Sequence, residues 1–244
     1  IKHGLVREAM KLVGIEKGIE ITFLSDIPAE GSGLGSSSAV AVGVLHALYL
    51  FRGESVTARR LAEEACKIEV NILKRPVGYQ DQYAVAFGGI NFIEFSKKDI
   101  VINSLSGDLD FLMLFYTGVT RKAETILSHL NFKKEILDRN KILAKRGQFA
   151  LENPLSLGLL LDEYWELKKQ LNRNITNETI KRLYYRAKNA GALGGKIVGA
   201  GGGGFLLVSV PYGKKQEMRN MLGLKELPFS VSRDGSKAIF NTRK

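Results

Sequence analysis

Three short stretches of this chain carry residue types suited to chemistry on a phosphate. In the first, Gly31-Ser32-Gly33-Leu34-Gly35-Ser36-Ser37-Ser38 leads into an almost uncharged run, residues 39–51. Glycines let backbone N–H groups close on an anion. The helix expected to follow aims its unpaired first-turn donors and the positive end of its dipole at the same point. A serine there can cap the helix, and a hydroxyl in that place can ligate Mg²⁺ beside a triphosphate. An ordinary Gly/Ser turn with a serine cap fits the same residues, so this segment alone leaves both readings open.

The second stretch supplies carboxylates. Asp81 stands in Gly78-Tyr79-Gln80-Asp81-Gln82-Tyr83, read as a loop whose amides and tyrosines can orient it. In phosphoryl transfer to an alcohol, an aspartate accepts the hydroxyl proton or turns that oxygen toward the γ-phosphate. The plain alternative is a loop aspartate capping a turn. Glu69 falls one turn after Ala65 and next to Ile68, at the margin of a buried stripe. A carboxylate there needs a partner, and Mg²⁺ supplies one, as does pairing with Lys74, Arg75 or Arg59.

The third is Gly199-Ala200-Gly201-Gly202-Gly203-Gly204. So many glycines lose conformational entropy on folding, which points to a backbone that needs close approach or positive φ. Such a run can close over phosphates or the neighbouring sugar; a flexible hairpin connection is the alternative. His3, His46 and His129 are isolated, and His46, inside an apolar run, reads as a core residue. No His/Cys cluster has metal-ligand spacing, and no G-x-x-x-x-G-K-[ST] occurs, which disfavours a P-loop enzyme.

The elements that must hold these residues follow from periodicity and breakers. A helix closes at Gly14, and a strand over 19–24 enters the glycine loop. The apolar helix after the loop should be central to the core. Ser55 or Thr57 caps the next helix, with Leu61, Ala65, Ile68 and Ile72 on one face, ending before Pro76. Strands are expected at 89–95, 100–105 and 111–116, then mainly helix over 125–171, broken near Asn153-Pro154. An amphipathic helix with Ile180, Leu183, Tyr184 and Ala187 stops at Gly191. A strand over 205–210, a helix over 214–222 and a strand near 237–241 complete the chain. Thr125 marks the boundary between two α+β halves, 1–124 and 125–244.

At 244 residues, 45% hydrophobic and 25% charged, the chain can bury a real core and reads as globular. Its 36 basic against 25 acidic residues give +11, which suits a phosphorylated substrate, nucleic acid or an anionic surface. The basic residues are dispersed, and aromatics do not interleave with them, which weakens a nucleic-acid module. The uncharged run 39–51 is too short to span a bilayer, so no membrane is expected. The single Cys66 rules out an intrachain disulfide framework and suits a small buried role in the cytoplasm.

With these residues in hand, the chain resembles the GHMP small-molecule kinases, the superfamily of galactokinase, homoserine kinase, mevalonate kinase and phosphomevalonate kinase. Gly33-Leu34-Gly35-Ser36-Ser37-Ser38 resembles its ATP-phosphate loop, and Gly199-Ala200-Gly201-Gly202-Gly203-Gly204 its third motif. Gly78-Tyr79-Gln80-Asp81-Gln82 matches the galactokinase-like position of the catalytic aspartate. Three segments look most like bacterial D-glycero-D-manno-heptose 7-phosphate kinases. They are Gly78–Ala84 with Phe87-Gly88-Gly89-Ile90-Asn91, Trp165-Glu166-Leu167-Lys168-Lys169, and Gly191-Ala192-Leu193-Gly194-Gly195-Lys196.

The resemblance implies an α+β GHMP kinase fold, with a ribosomal-protein-S5-domain-2-like N-terminal half, truncated at its start, and a ferredoxin-like C-terminal half. It implies ATP bound by Gly31, Ser32, Gly33, Leu34, Gly35, Ser36, Ser37 and Ser38. Mg²⁺ would be held by Ser37 and Glu69, and Asp81 would be catalytic. The sugar phosphate would be met by Arg75, Gln80, Asp81, Gly201, Gly202, Gly203 and Gly204, with Lys196 a further basic candidate for its 7-phosphate. The reaction implied is γ-phosphoryl transfer to the anomeric hydroxyl of heptose 7-phosphate, toward activated heptose for surface glycans. Pro28 stands one residue further from Gly33 than is usual, which predicts a bulge at Glu30. The family's N-terminal basic-and-glycine segment has no counterpart, so Ile1 is expected to begin after it, and 128–153 is short for the family.

Three rivals stand beside this reading. A kinase of the same fold acting on fucose or galactose would respond to unphosphorylated sugars. A basic nucleic-acid-binding domain would show steeply salt-dependent binding and no need of Asp81. A catalytically dead ATP sensor would be indifferent to Asp81→Asn.

Overall fold

The computed structural model describes residues 2–27, 31–121, 123–128, 130–131 and 133–242. It is an α+β chain in two compact units, one made of residues 1–29, 35–102 and 232–244, the other of 30–34 and 103–231. The packing boundary therefore falls after Ile102, ahead of the helical region that begins at Thr125.

In the first unit, α1 (Gly4–Val13) ends on Gly14 in the left-handed conformation, and α2 (Ser36–Phe51) packs on α1 and on the two helices that follow. Those are α3 (Ala58–Cys66) and α4 (Gln80–Phe87). Thr57 caps α3 by accepting from Arg60 N–H, the arrangement that Ser/Thr at an N-cap favours. The core joins Leu5, Val6, Ala9 and Met10 of α1 with Val42, Leu45 and Leu48 of α2, Leu61 and Ile68 beyond it, and Tyr83 of α4. The near-absence of charge over 39–51 is thus explained by a helix that faces neighbours on several sides. A two-stranded sheet of β1 (Ile90–Phe95) and β2 (Ile100–Leu105) adds Ile93, Ile100 and Ile102 to the core's edge.

The second unit holds a three-stranded antiparallel sheet. Its first strand is β3 (Leu112–Tyr116), followed by α5 (Ala123–Leu127), α6 (Lys134–Gly147), α7 (Pro154–Lys169) and α8 (Glu178–Asn189). Then come β4 (Gly194–Ile197), β5 (Phe205–Ser209) and α9 (Lys215–Leu222), with β5 central in the order β3-β5-β4. Tyr116 pairs with Phe205, and Ile197 with Leu206. Side chains alternate between the two faces. Met113, Phe115, Leu206 and Val208 join Trp165, Ile175 and Ile180, while Leu112 turns the other way toward Phe111, Ala150 and Leu157. The break expected at Asn153-Pro154 is the start of α7, with Asn153 as cap and Pro154 at the first helical position.

Several expectations are corrected. Residues 19–24 form no strand; Ile19 and Ile21 lean on the core, yet no ladder hydrogen bonds form, so β-propensity delivers only extended chain. No strand forms near 237–241 either. The final segment makes one backbone bond to the end of α4, Gly89 N–H to the Ser232 carbonyl (2.7 Å), and leaves Ile239 and Phe240 exposed. Residues 80–83 are the first turn of α4 rather than a loop. Residues 194–197, for which no strand was expected, are strand β4; α7 passes so close that a Cβ on Gly194 would lie 1.8 Å from the Gly158 carbonyl oxygen. Pro28, Glu30 and His129 lie outside the described residues.

Candidate active site

Residues from the first unit gather at the N-terminus of α2. Its N-cap is Gly35 at φ +71°, with no side chain capping the helix, which corrects the expectation of a serine cap. Ser36, Ser37 and Ser38 fill the first turn, so two hydroxyls are released from capping to point elsewhere. They point at Glu69. Ser37 Oγ donates to Glu69 Oε1, and Ser38 Oγ donates to Oε2 at 2.9 Å.

Glu69 is fully buried, which the sequence had placed only at the margin of the core. The helix continuing α3 widens into a π-turn over Lys67–Ile72, closed by Leu73 N–H on the Ile68 carbonyl (2.9 Å). The extra residue in the turn lets Ile68 and Glu69, neighbours in sequence, both face inward. Such widenings recur at functional sites. A buried carboxylate is tolerated only when its lone pairs are met. Gln82 Nε2 donates to Oε2 at 2.7 Å, and Arg75 Nη1 lies 3.3 Å from Oε1 while donating to Ser37 Oγ at 2.6 Å.

Asp81 sits beside this group, in the first turn of α4. A Cβ added at Gly35 would stand 3.7 Å from the Asp81 carboxylate, and Gln80 Nε2 donates to Asp81 Oδ1 at 3.1 Å. The carboxylate is half-buried next to the N-cap of α2, where dipoles favour negative charge. Ser37, Glu69 and Asp81, assigned from separate stretches of sequence, lie in one neighbourhood. Cys66 is a bystander. Burial, and then the charges of Glu69 and Glu63, push its thiol up to about 12, so no thiolate competes there.

The second unit carries the other half of the glycine loop and the glycine run. Ser32 is buried, and its Oγ accepts from Leu34 N–H (3.3 Å). Gly33 backs onto Gly199 so tightly that a Cβ on Gly199 would fall 2.5 Å from Gly33 Cα, and both residues have positive φ. Only glycine satisfies both demands at once. Gly201–Gly204 are all buried, and two of their donors are already used. Gly202 N–H bonds the Ile175 carbonyl and Gly204 N–H the Val119 carbonyl, each at 2.7 Å. The run is thus a packed floor, not an open cradle.

Sequence reasoning gave Lys168 no role, placed Ser38 only among the nucleotide-binding residues and read Gln82 only as an amide beside Asp81. Gln82 and Ser38 orient Glu69. Lys168, 7% exposed, donates to the Gly199 carbonyl, and its ammonium is depressed to about 7 by burial and then by Lys196. Its available signal was the lysine pair following Trp165. Lys196 lies over the Tyr164 ring, 4.3 Å from the centroid.

A carboxylate oxygen and a hydroxyl oxygen in contact are the hard donors that Mg²⁺ prefers, with phosphate and water completing six-fold coordination. Ser37 and Glu69 fit that ion. No cluster of three or more His, Cys, Asp and Glu that could hold a metal ion exists among the described residues. No helix among the described residues is long and apolar enough to cross a membrane.

Comparison with known proteins identifies the family. Residues 3–89 match the model of the GHMP kinases N terminal domain, and 146–224 that of the GHMP kinases C terminal. The chain is 33% identical over 236 residues to a D-glycero-alpha-D-manno-heptose 7-phosphate kinase of Campylobacter jejuni, covering 88% of this chain and 68% of that protein. It is 31% identical to an L-fucokinase/L-fucose-1-P guanylyltransferase of Bacteroides fragilis over 84% of this chain, but spans only 23% of that longer protein. A crystal structure of a D-glycero-D-manno-heptose 1-phosphate kinase from Bacteriodes thetaiotaomicron superposes with a TM-score of 0.73 at 28% identity, covering 95% of this chain and 72% of that one. The chain belongs to the GHMP kinase family, phosphotransferases that act on alcohol groups.

Proposed function

We propose that the protein transfers the γ-phosphoryl group of ATP to the anomeric hydroxyl of D-glycero-D-manno-heptose 7-phosphate, in the cytoplasm, on the way to nucleotide-activated heptose. The observation that carries the reading is the convergence of Ser37, Glu69 and Asp81 at the N-terminus of α2. The similarity to the heptose 7-phosphate kinase supports this choice of acceptor.

Each residue is assigned a role that its surroundings support. Gly31–Ser38 bind the nucleotide phosphates, with the α2 terminus favouring their charge. Ser37 Oγ and Glu69 Oε1 hold Mg²⁺, which when bound neutralises charge on the β- and γ-phosphates. Asp81, half-buried and oriented by Gln80, accepts the acceptor hydroxyl's proton or fixes that oxygen in line with the γ-phosphorus. Arg75 and Gln80 are the residues assigned to the sugar phosphate. Net charge of +11 favours a doubly charged phosphomonoester over a neutral sugar.

A fucose-type acceptor is the second reading, supported by the B. fragilis relative. Coupled ADP-release assays over a panel of heptose 7-phosphate, fucose, galactose and mevalonate separate the two. Turnover with heptose 7-phosphate at least about a hundredfold above the rest, about 2.7 kcal/mol of discrimination, is expected. Response to free fucose with none to the heptose phosphate overturns the acceptor assignment.

A further inference from the structure

The two oxygens assigned to a divalent ion already carry a cation. Arg75 Nη1 reaches Ser37 Oγ at 2.6 Å and Glu69 Oε1 at 3.3 Å, so one guanidinium nitrogen spans both. The backbone enforces that placement. After the π-turn, Lys74 adopts φ +53°, the only non-glycine residue in the left-handed region among those described. Arg75 N–H then returns to the Glu69 carbonyl at 3.0 Å, closing the chain on itself. A lysine held in that conformation costs energy, which persists only where the surroundings require it. The other three donors to Glu69, Ser37, Ser38 and Gln82, are neutral. Arg75 therefore supplies the one positive charge this buried carboxylate touches among the described contacts.

Resting on the assignment of Ser37 and Glu69 to the metal, we propose that Arg75 is an internal counter-cation that holds the metal's place, and that guanidinium and divalent ion exclude each other there. Mg²⁺ sits about 2.1 Å from each ligand oxygen. A guanidinium nitrogen spanning the same two oxygens occupies that coordination space, and two cations so close repel strongly. Entry of the ion releases Arg75, whose forked donors are then available to a phosphate group. The arrangement keeps Glu69 compensated before nucleotide arrives and weakens binding of the metal alone.

The test is a Mn²⁺ titration of the full chain without nucleotide, read by water-proton relaxation, with Mn²⁺-dependent melting temperature alongside. Arg75→Met is expected to bind Mn²⁺ about tenfold more tightly than wild type, equivalent to about 1.4 kcal/mol of removed competition. Its lowered melting temperature should recover with Mn²⁺ by more than the wild type gains. Arg75→Lys, which keeps a charge but loses the fork, should fall between them and carries the test should Arg75→Met not fold. Glu69→Gln should lose Mn²⁺ binding. Arg75 variants binding no more tightly than wild type, while Glu69→Gln loses binding, overturn the exclusion and leave the metal site standing. Mn²⁺ binding by Glu69→Gln at the wild-type level overturns the metal site itself.

Discussion

Gln82 Nε2 donates a 2.7 Å hydrogen bond to Glu69 Oε2, and neither side chain is exposed to solvent. The amide can face the carboxylate only through its NH₂ group, which leaves Gln82 Oε1 buried without a partner. One residue thus accepts an unsatisfied oxygen so that another, Glu69, is oriented. With Ser38 on the same oxygen, Oε2 is fixed, and Oε1 is presented toward Ser37.

Replacing Gln82 by Leu removes a hydrogen bond to a charged group and should cost about 1.5–3 kcal/mol of stability, reduced somewhat by loss of the orphaned oxygen. Urea denaturation measures it. The Mg²⁺ concentration for half-maximal turnover should rise as well. An unchanged midpoint in both measurements would show that Glu69 does not depend on this contact.

Asp81→Asn preserves size and the Gln80 neighbour but removes the proton acceptor. Turnover is expected to fall about 10²–10⁴-fold while nucleotide affinity stays within a few-fold. Single-turnover phosphoryl transfer and a nucleotide-binding titration separate the two effects. Full activity in this variant would take Asp81 out of the chemistry.

Gly199→Ala tests the close approach in the second unit. The new Cβ would meet Gly33 Cα at 2.5 Å, from a backbone at φ +63°. Loss of more than about 2 kcal/mol of stability is expected, since neither strain nor clash can relax alone. Thermal melting checks it; a change of only a few tenths would mean that Gly33 gives way freely.

Lys168 makes stability depend on pH in a particular direction. Burial holds its folded-state ammonium down at about 7, below its usual value of 10.5. Between those values the unfolded chain binds the extra proton, so its contribution to stability rises with pH, by at most about 1.4 kcal/mol per unit. Below about 7 both states are charged and the dependence vanishes. Wild type should gain on Lys168→Met between pH 7 and 9 in parallel denaturation curves. A flat difference would mean that the lysine stays charged in the fold.

Much of this was legible in residue order because the signals are local. Gly14, Thr57, Asn153-Pro154 and Gly191 act on the backbone within a turn or two, so helix ends could be read directly. The glycine loop and the glycine run announce close approach through what they lack, and Ser37, Glu69 and Asp81 follow from the motifs they stand in. Strands over 19–24 and near 237–241 were misread because β-propensity says nothing about a partner, and a ladder needs one. Asp81 was misread as a loop residue because the turn chemistry of Gly78-Tyr79 continues directly into a helix start.

Residue types and spacing alone determined that a glycine- and serine-rich loop leading into an apolar helix, two candidate carboxylates and a second glycine run belong to one chain. Tertiary structure alone decided how Glu69 is compensated, because burial and a π-turn bring Ser37 with Ser38, Arg75 and Gln82 onto its two oxygens from three separate places. It also decided that Gly201–Gly204 form a packed floor, since their hydrogen bonds go to Ile175 and Val119, which are distant in sequence. Periodicity reports which face a residue takes. Which partner meets it there depends on contacts that no local pattern records.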